Sequence, residues 1–122
     1  MKIGHIEWCD LTVDNTEEVR DFYAAVVGWK PQDEGVDNYN DYSMLAPDGK
    51  IVAGVCHRKG VNADIPPQWL VYISVESVAI SVAKALERGG KLVSGPRKLG
   101  EADFAVVQDP AGAVFALYSE PA

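Results

Sequence analysis

An internal repeat limits the folds that are open to this sequence. Val13 and Val75 stand 62 positions apart, and the Pro-x-Gly turns at Pro47 and Pro110 stand 63 positions apart. The repeated unit is too short to bury a sheet by itself, so that two copies must pack together. The chain of 122 residues has room for one domain made of two such copies.

Each copy begins with a strand and continues with an amphipathic helix. In the first copy, apolar residues recur at the spacing i, i+3, i+4, i+7 and i+8, which is one face of a helix: Val19, Phe22, Tyr23, Val26 and Val27. We predict helices over Thr16–Val27, capped by Asp14 or Asn15, and over Val78–Arg88, capped by Ser77. Gly28 ends the first helix.

Three further strands follow each helix. They are "WKPQ", "DYSMLA" and "KIVAGVC" in the first copy, and "KLVSG", "DFAVVQ" and "AVFALY" in the second. The prediction is a single α+β domain over residues 1–122, built of two βαβββ modules at about 1–56 and 68–120. The polar segment 57–67, with its Pro pair, is the linker. The sheet is expected to be mixed and curled, with both helices on its outer face.

Charge and composition exclude several classes of partner. The formal net charge of −7 disfavours nucleic acid and anionic membranes, because both would be repelled. No sustained apolar stretch resembles a secretory signal or a membrane span, which leaves a cytoplasmic location as the expectation. Cys9 and Cys56 both lie in apolar strand-like runs, and we expect them to be buried, reduced thiols.

The repeat resembles a known family. "WCDLTVDNTEEVRDFYAAVVGW" in the first module and "FAVVQDPAGAVFALY" in the second are similar to the vicinal oxygen chelate superfamily, which includes glyoxalase I, bleomycin-resistance proteins and extradiol dioxygenases. The pattern is most similar to bacterial glyoxalase-like proteins. Together the two motifs cover most of the chain at the spacing of the repeat.

The resemblance also implies where a metal would be bound. Enzymes of this family place a metal ligand on the first and last strand of each module, and these positions fall on Trp8, Ala53, Leu70 and Ala116. None of these side chains supplies the nitrogen, oxygen or sulfur lone pair that a divalent cation needs. We therefore expect no metal and no other cofactor.

Histidine and carboxylate residues elsewhere do not replace the lost ligands. His5 and Glu7 have the strand parity opposite to that of Trp8, so that they point away from the cavity unless a bulge intervenes. His57 stands beside Arg58 and Lys59, and we expect it to be a solvated loop residue. No spacing in the sequence indicates a catalytic Ser-His-Asp or Cys-His arrangement.

Strand alternation predicts the lining of the cavity. The expected binding residues are mostly apolar and aromatic, as is usual for small-molecule sites: Trp8, Asp10, Thr12, Tyr42, Leu70, Tyr72, Ala116 and Tyr118. Ser74, Ile51, Ala53, Val55 and Val114 are placed on the same face, and Met44 is the alternative to Tyr42. A second possibility is that the aromatic side chains fill the concavity and leave no pocket.

Asp10 separates two functional hypotheses, since it is the carboxylate placed inside the cavity. The first is metal-independent binding of a small aromatic or amphipathic molecule. The alternative is a small isomerase or lyase in which Asp10 acts as the acid or base, assisted by a tyrosine. Asp10 could also lie at the rim and have no functional role.

Exposed strand edges predict a homodimer.

Overall fold

The computed structural model describes residues 2–36 and 38–121. These residues form a mixed β-sheet of eight strands with two α-helices, which confirms the predicted α+β class. The elements are β1 (Ile6–Val13), α1 (Thr16–Val27), β2 (Lys30–Val36), β3 (Tyr39–Leu45), β4 (Ile51–His57), β5 (Trp69–Ser74), α2 (Val78–Glu87), β6 (Lys91–Leu99), β7 (Ala102–Gln108) and β8 (Val114–Ser119). A short 3-10 turn, Gly60–Asn62, lies between β4 and β5.

The chain divides into two compact units, and the division crosses β1. Unit 2 runs from Cys9 to Trp69, whereas unit 1 contains the residues up to Trp8 together with those from Leu70 onward. The first residues belong to unit 1 because they bond to β5: Gly4 N donates to Ser74 O at 2.7 Å, and Ser74 N donates to His5 O at 3.0 Å. The N-terminal segment therefore groups with the second module of the repeat.

Both units have the same internal topology. In unit 2, β1 pairs in parallel with β4, and β3 and β2 follow in antiparallel order. In unit 1, β5 pairs in parallel with β8, and β7 and β6 follow in the same way. The two βαβββ modules that the repeat predicts are thus present.

The helices begin and end close to the predicted positions. Ser77 caps α2, since its Oγ accepts a hydrogen bond from Ile80 N at 3.3 Å. Gly28 ends α1 in the left-handed conformation, with φ at 78°. Asn15 occupies the N-cap of α1, but its side chain bonds to Glu18 rather than to the helix backbone.

Each helix packs on one face of its own unit. In unit 1, the core beneath α2 contains Val78 and Val82 with Ala105, Val107 and Leu117. In unit 2, Val19 and Tyr23 of α1 pack against a cluster of Tyr42, Met44 and Val55.

The predicted buried face of α1 is only partly correct. Phe22, Val26 and Val27 are 56%, 62% and 47% exposed in the structure, whereas Val19 and Tyr23 are half-buried. The apolar face predicted from periodicity is wider than the contact that the helix makes with its strands.

A β-bulge in β4 changes the strand register that the sequence predicts. Leu45 pairs with Ile51 and Met44 pairs with Ala53, so that Val52 is an extra residue. The β7–β8 pair has no such irregularity. Because one extra residue moves all later side chains to the other face, the structural equivalent of Ala116 is Gly54.

The predicted orientation of Ala53 and Val55 is therefore wrong. Val55 packs in the cluster against α1, and Ala53 shares its side of the strand. Gly54 lies opposite Asp10 of β1, as Ala116 lies opposite Tyr72 of β5.

No helix within residues 2–36 and 38–121 is long and apolar enough to cross a membrane.

Candidate functional site

Unit 1 contains a cavity of about 290 Å³ with an aromatic lining. Its walls are formed by Glu7, Trp8, Tyr72, Leu99 and Tyr118. The volume is at the small end of the range for ligand pockets. Space remains between the aromatic side chains at this position in unit 1.

Alternation along β5 and β8 explains why two tyrosines reach this cavity. Leu117 of β8 packs beneath α2, so that its neighbour Tyr118 points to the opposite face. Tyr72 pairs with Ala116 and lies on that same face. Both tyrosines line the cavity, on the face where strand parity places them.

Tyr72 is supported from behind by a buried aromatic ring. The centroid of Phe104 lies 5.4 Å from that of Tyr72, with the planes inclined at 39°. Phe104 is only 1% exposed, and the guanidinium carbon of Arg97 lies 4.5 Å from its ring centroid. This packing restricts the position of the Tyr72 ring at the cavity wall.

The carboxylate at the cavity belongs to Glu7. Its Oε1 accepts a hydrogen bond from Lys2 N at 3.0 Å. The segment that carries both residues is anchored by Ser74, whose buried Oγ donates to Lys2 O and lies 3.3 Å from His5 O. The N-terminal segment thereby holds Glu7 beside the aromatic rings.

The expected binding residues divide between the two units. Trp8, Tyr72 and Tyr118 line the cavity together. Leu70 and Ala116 belong to unit 1 and are fully buried in its strands. The remaining three residues belong to unit 2 and are not among those that line the cavity: Asp10, Thr12 and Tyr42.

Tyr42 packs beneath a helix, contrary to the prediction that it or Met44 faces the cavity. Both side chains belong to the cluster against α1. The Tyr42 hydroxyl donates to Glu17 Oε2 at 2.8 Å, and this bond is the main reason why the pKa of Glu17 is lowered. Tyr42 therefore has a structural environment in unit 2.

Asp10 is half-buried in β1, next to two thiols of unit 2. Burial raises the pKa of Cys56 and of Cys9, and the negative charge of Asp10 raises both further. Both cysteines are free and half-buried, so that they are thiols under ordinary conditions. Thr12 is buried two residues further along the strand.

His57 is a buried residue of β4, and the prediction of a solvated loop position is wrong. It is 7% exposed, and its Nε2 lies 3.2 Å from Glu17 Oε2. Its Nδ1 lies 3.3 Å from Asp41 Oδ1, which also accepts a hydrogen bond from His57 N at 2.8 Å. The strand extends one residue further than the sequence suggests, and two carboxylates hold the imidazole.

The structure does not fit the metal that the family resemblance implies. With the register corrected for the bulge, the four ligand positions hold Trp8, Gly54, Leu70 and Ala116, none of which offers a donor atom in its side chain. Across residues 2–36 and 38–121, no three His, Cys, Asp or Glu side chains are grouped so that they could hold a metal ion.

Sequence reasoning missed Glu7 and Leu99. Glu7 was placed on the wrong face, but both it and its neighbour Trp8 line the cavity. Leu99 follows two register irregularities in β6, between Leu92 and Arg97, so that counting residues along this strand does not give its direction. No sequence signal that we identify indicates Leu99.

Known proteins resemble this chain in sequence and in fold. The family model of the Glyoxalase/Bleomycin resistance protein/Dioxygenase superfamily matches residues 2–117. The anthracycline biosynthesis protein DnrV of Streptomyces peucetius is 32% identical over 114 residues, which are 93% of this chain and 41% of that protein. A provisionally named glyoxylase, CFP32 of Mycobacterium bovis, is 30% identical over 118 residues, 94% of this chain and 45% of that protein.

The chain thus spans less than half the length of these curated relatives. Among solved structures, a methylmalonyl-CoA epimerase of Streptomyces coelicolor superposes with a TM-score of 0.57 at 13% identity, covering 99% of this chain and 100% of that one. At this level of identity the likeness concerns the fold alone.

Proposed function

The chain belongs to the Glyoxalase/Bleomycin resistance protein/Dioxygenase superfamily, and we propose that it binds a small aromatic or amphipathic molecule without a metal ion. The observation that carries the proposal is the cavity in unit 1, where Trp8, Tyr72 and Tyr118 form an aromatic lining. Flat aromatic side chains offer large apolar contact areas to a planar ligand.

Two further observations support this proposal. The positions at which family enzymes hold a metal carry apolar side chains or glycine here, so that chemistry centred on a metal lacks ligands. Anthracyclines are fused-ring aromatic compounds, and a relative named for their biosynthesis is consistent with an aromatic ligand. We also keep a cytoplasmic location as part of the proposal, supported by the two free cysteines.

The alternative proposal, an isomerase or lyase that uses Asp10 as acid or base, has weaker support. Asp10 is not among the residues that line the cavity, whereas Glu7 is. A catalytic acid or base must come within hydrogen-bond reach of its substrate. We therefore place binding first.

The proposal predicts binding of an aromatic probe that is independent of metal. In calorimetric titrations with naphthylethanol, a neutral fused aromatic, we expect the same affinity, within about twofold, in EDTA and in added zinc. A metal ion that binds the native state raises the melting temperature. Because we expect no such binding, added zinc, nickel or iron should leave the melting temperature unchanged. Absence of binding, or binding only with metal, would contradict the proposal.

A homodimer is also part of the proposal. Phe22, Val26 and Val27 expose apolar area on α1, and such patches often mark contacts between proteins. Curated relatives that are more than twice as long are consistent with pairing of two such chains.

We expect sedimentation at micromolar concentration to give a dimer. Phe22→Glu should shift it towards monomer, because a charge would be buried at the interface. Val61→Glu, at another exposed apolar residue of unit 2, is the matched control and should leave the dimer intact. A native protein that sediments only as monomer would count decisively against this part of the proposal.

A further inference from the structure

Among the residues that the structure describes, the lining of the cavity in unit 1 contains one charged side chain beside apolar and aromatic ones. Glu7 is a carboxylate, and Trp8, Tyr72 and Tyr118 present aromatic rings. From this combination we infer that the cavity selects ligands that carry an ammonium group attached to an aromatic or apolar body. The inference rests on the proposed binding function and names the class of ligand.

Aromatic rings and a carboxylate both attract a cation. The faces of Trp and Tyr rings carry negative electrostatic potential, and they attract a cation that lies within about 6 Å of the ring centroid. Glu7 adds a full negative charge at the same cavity. An ammonium group can therefore use the rings and the carboxylate together, whereas a neutral ligand uses only the apolar contact.

The position of Glu7 is set by the backbone. Its Oε1 accepts the hydrogen bond from Lys2 N, and residues 2–5 are bonded to Ser74 of β5. The carboxylate is thus already ordered in the free protein, so that less conformational entropy is lost when a ligand binds. The carboxylate keeps acceptor capacity for a second donor, since two oxygens offer about four lone-pair sites.

Arg97 is a cation that lies behind this lining, one ring removed from Tyr72. Its guanidinium lies over the ring of Phe104, which in turn packs on Tyr72. Arg97 is not among the residues that line the cavity. An anionic ligand would meet Glu7 at the wall, and it would also approach a protein with a formal net charge of −7.

Three naphthalene probes of similar size test the inference. They carry an aminomethyl group, which is protonated to an ammonium at neutral pH, a hydroxyethyl group and a carboxymethyl group. We expect the native protein to bind the cation roughly tenfold more tightly than the neutral probe, because a cation–π contact adds to a partly exposed ion pair. The anion should bind more weakly than both.

Glu7→Gln isolates the charge, because glutamine keeps the oxygen that accepts the Lys2 N hydrogen bond. We expect the preference for the cation to fall to about threefold or less, the part that the rings supply, with affinity for the neutral probe unchanged. Glu87→Gln is the matched control: it removes the same charge at the exposed end of α2 and should leave the preference intact.

The outcomes separate the inference from the proposed function. If the native protein binds all three probes equally, or prefers the anion, the inference is overturned while aromatic binding stands. If Glu87→Gln lowers the preference as much as Glu7→Gln does, the effect comes from net charge, and the assignment to Glu7 is overturned. If no probe binds, both the proposed function and the inference fail.

Discussion

Replacing Trp8 by alanine is expected to weaken binding of the neutral naphthalene probe by about 30-fold or more, equivalent to about 2 kcal/mol. Trp8 has the largest of the aromatic side chains at the cavity, and its removal takes away one wall. Calorimetric titration measures the change. Trp8→Phe should recover much of the lost affinity, since it restores an aromatic face of smaller area.

Two controls make this result specific to the cavity. Ile80→Ala changes an exposed apolar residue of α2, and Asp10→Asn changes a carboxylate that does not line the cavity. We expect both variants to bind the neutral probe like the native protein. If Trp8→Ala keeps native affinity while its unfolding curve is normal, the probe does not occupy this cavity.

Replacing Phe104 by alanine is expected to lower the free energy of unfolding by about 3–5 kcal/mol. The side chain is 1% exposed and contacts both Tyr72 and Arg97, so that its loss leaves a cavity and removes both contacts. Urea unfolding followed by circular dichroism measures this loss through the shift of the midpoint.

Leu92→Ala is the control for Phe104→Ala, because Leu92 lies in β6 but is 40% exposed. We expect this control to cost less than about 1 kcal/mol, as partly exposed side chains lose less buried area. Under conditions where Phe104→Ala remains folded, its affinity for the probe should also fall, since Tyr72 loses its support. If Phe104→Ala is as stable as the native protein, the packing of Phe104 against Tyr72 and Arg97 is not needed for stability.

The sequence predicted best where local rules suffice. The bounds of α1, the Ser77 cap of α2 and the stop at Gly28 follow from periodicity and capping, which depend on residues close together in the chain. In unit 1 the alternation along β5 and β8 is unbroken, and it places Tyr72 and Tyr118 on one face, where both line the cavity.

Prediction was wrong where a register irregularity intervened. The extra residue at Val52 turned Ala53 and Val55 towards α1, and the repeat at 63 residues gave no sign of it, because the turn that precedes β4 keeps that spacing. Tyr42 was assigned to the cavity from β3, and the sequence does not determine the register of this strand either. His57 was predicted to be a solvated loop residue because charged residues follow it in the sequence. Its environment instead comes from Glu17 of α1 and Asp41 of β3.

By itself the sequence determined the two βαβββ modules and their helices, because these depend on the repeat and on local spacing. Only the tertiary structure decided which side chains meet at the cavity. Hydrogen bonds between the N-terminal segment and Ser74 brought Glu7 to the aromatic rings, and irregular pairing in β6 brought Leu99 there. Both depend on contacts between residues far apart in the chain, which strand parity does not encode.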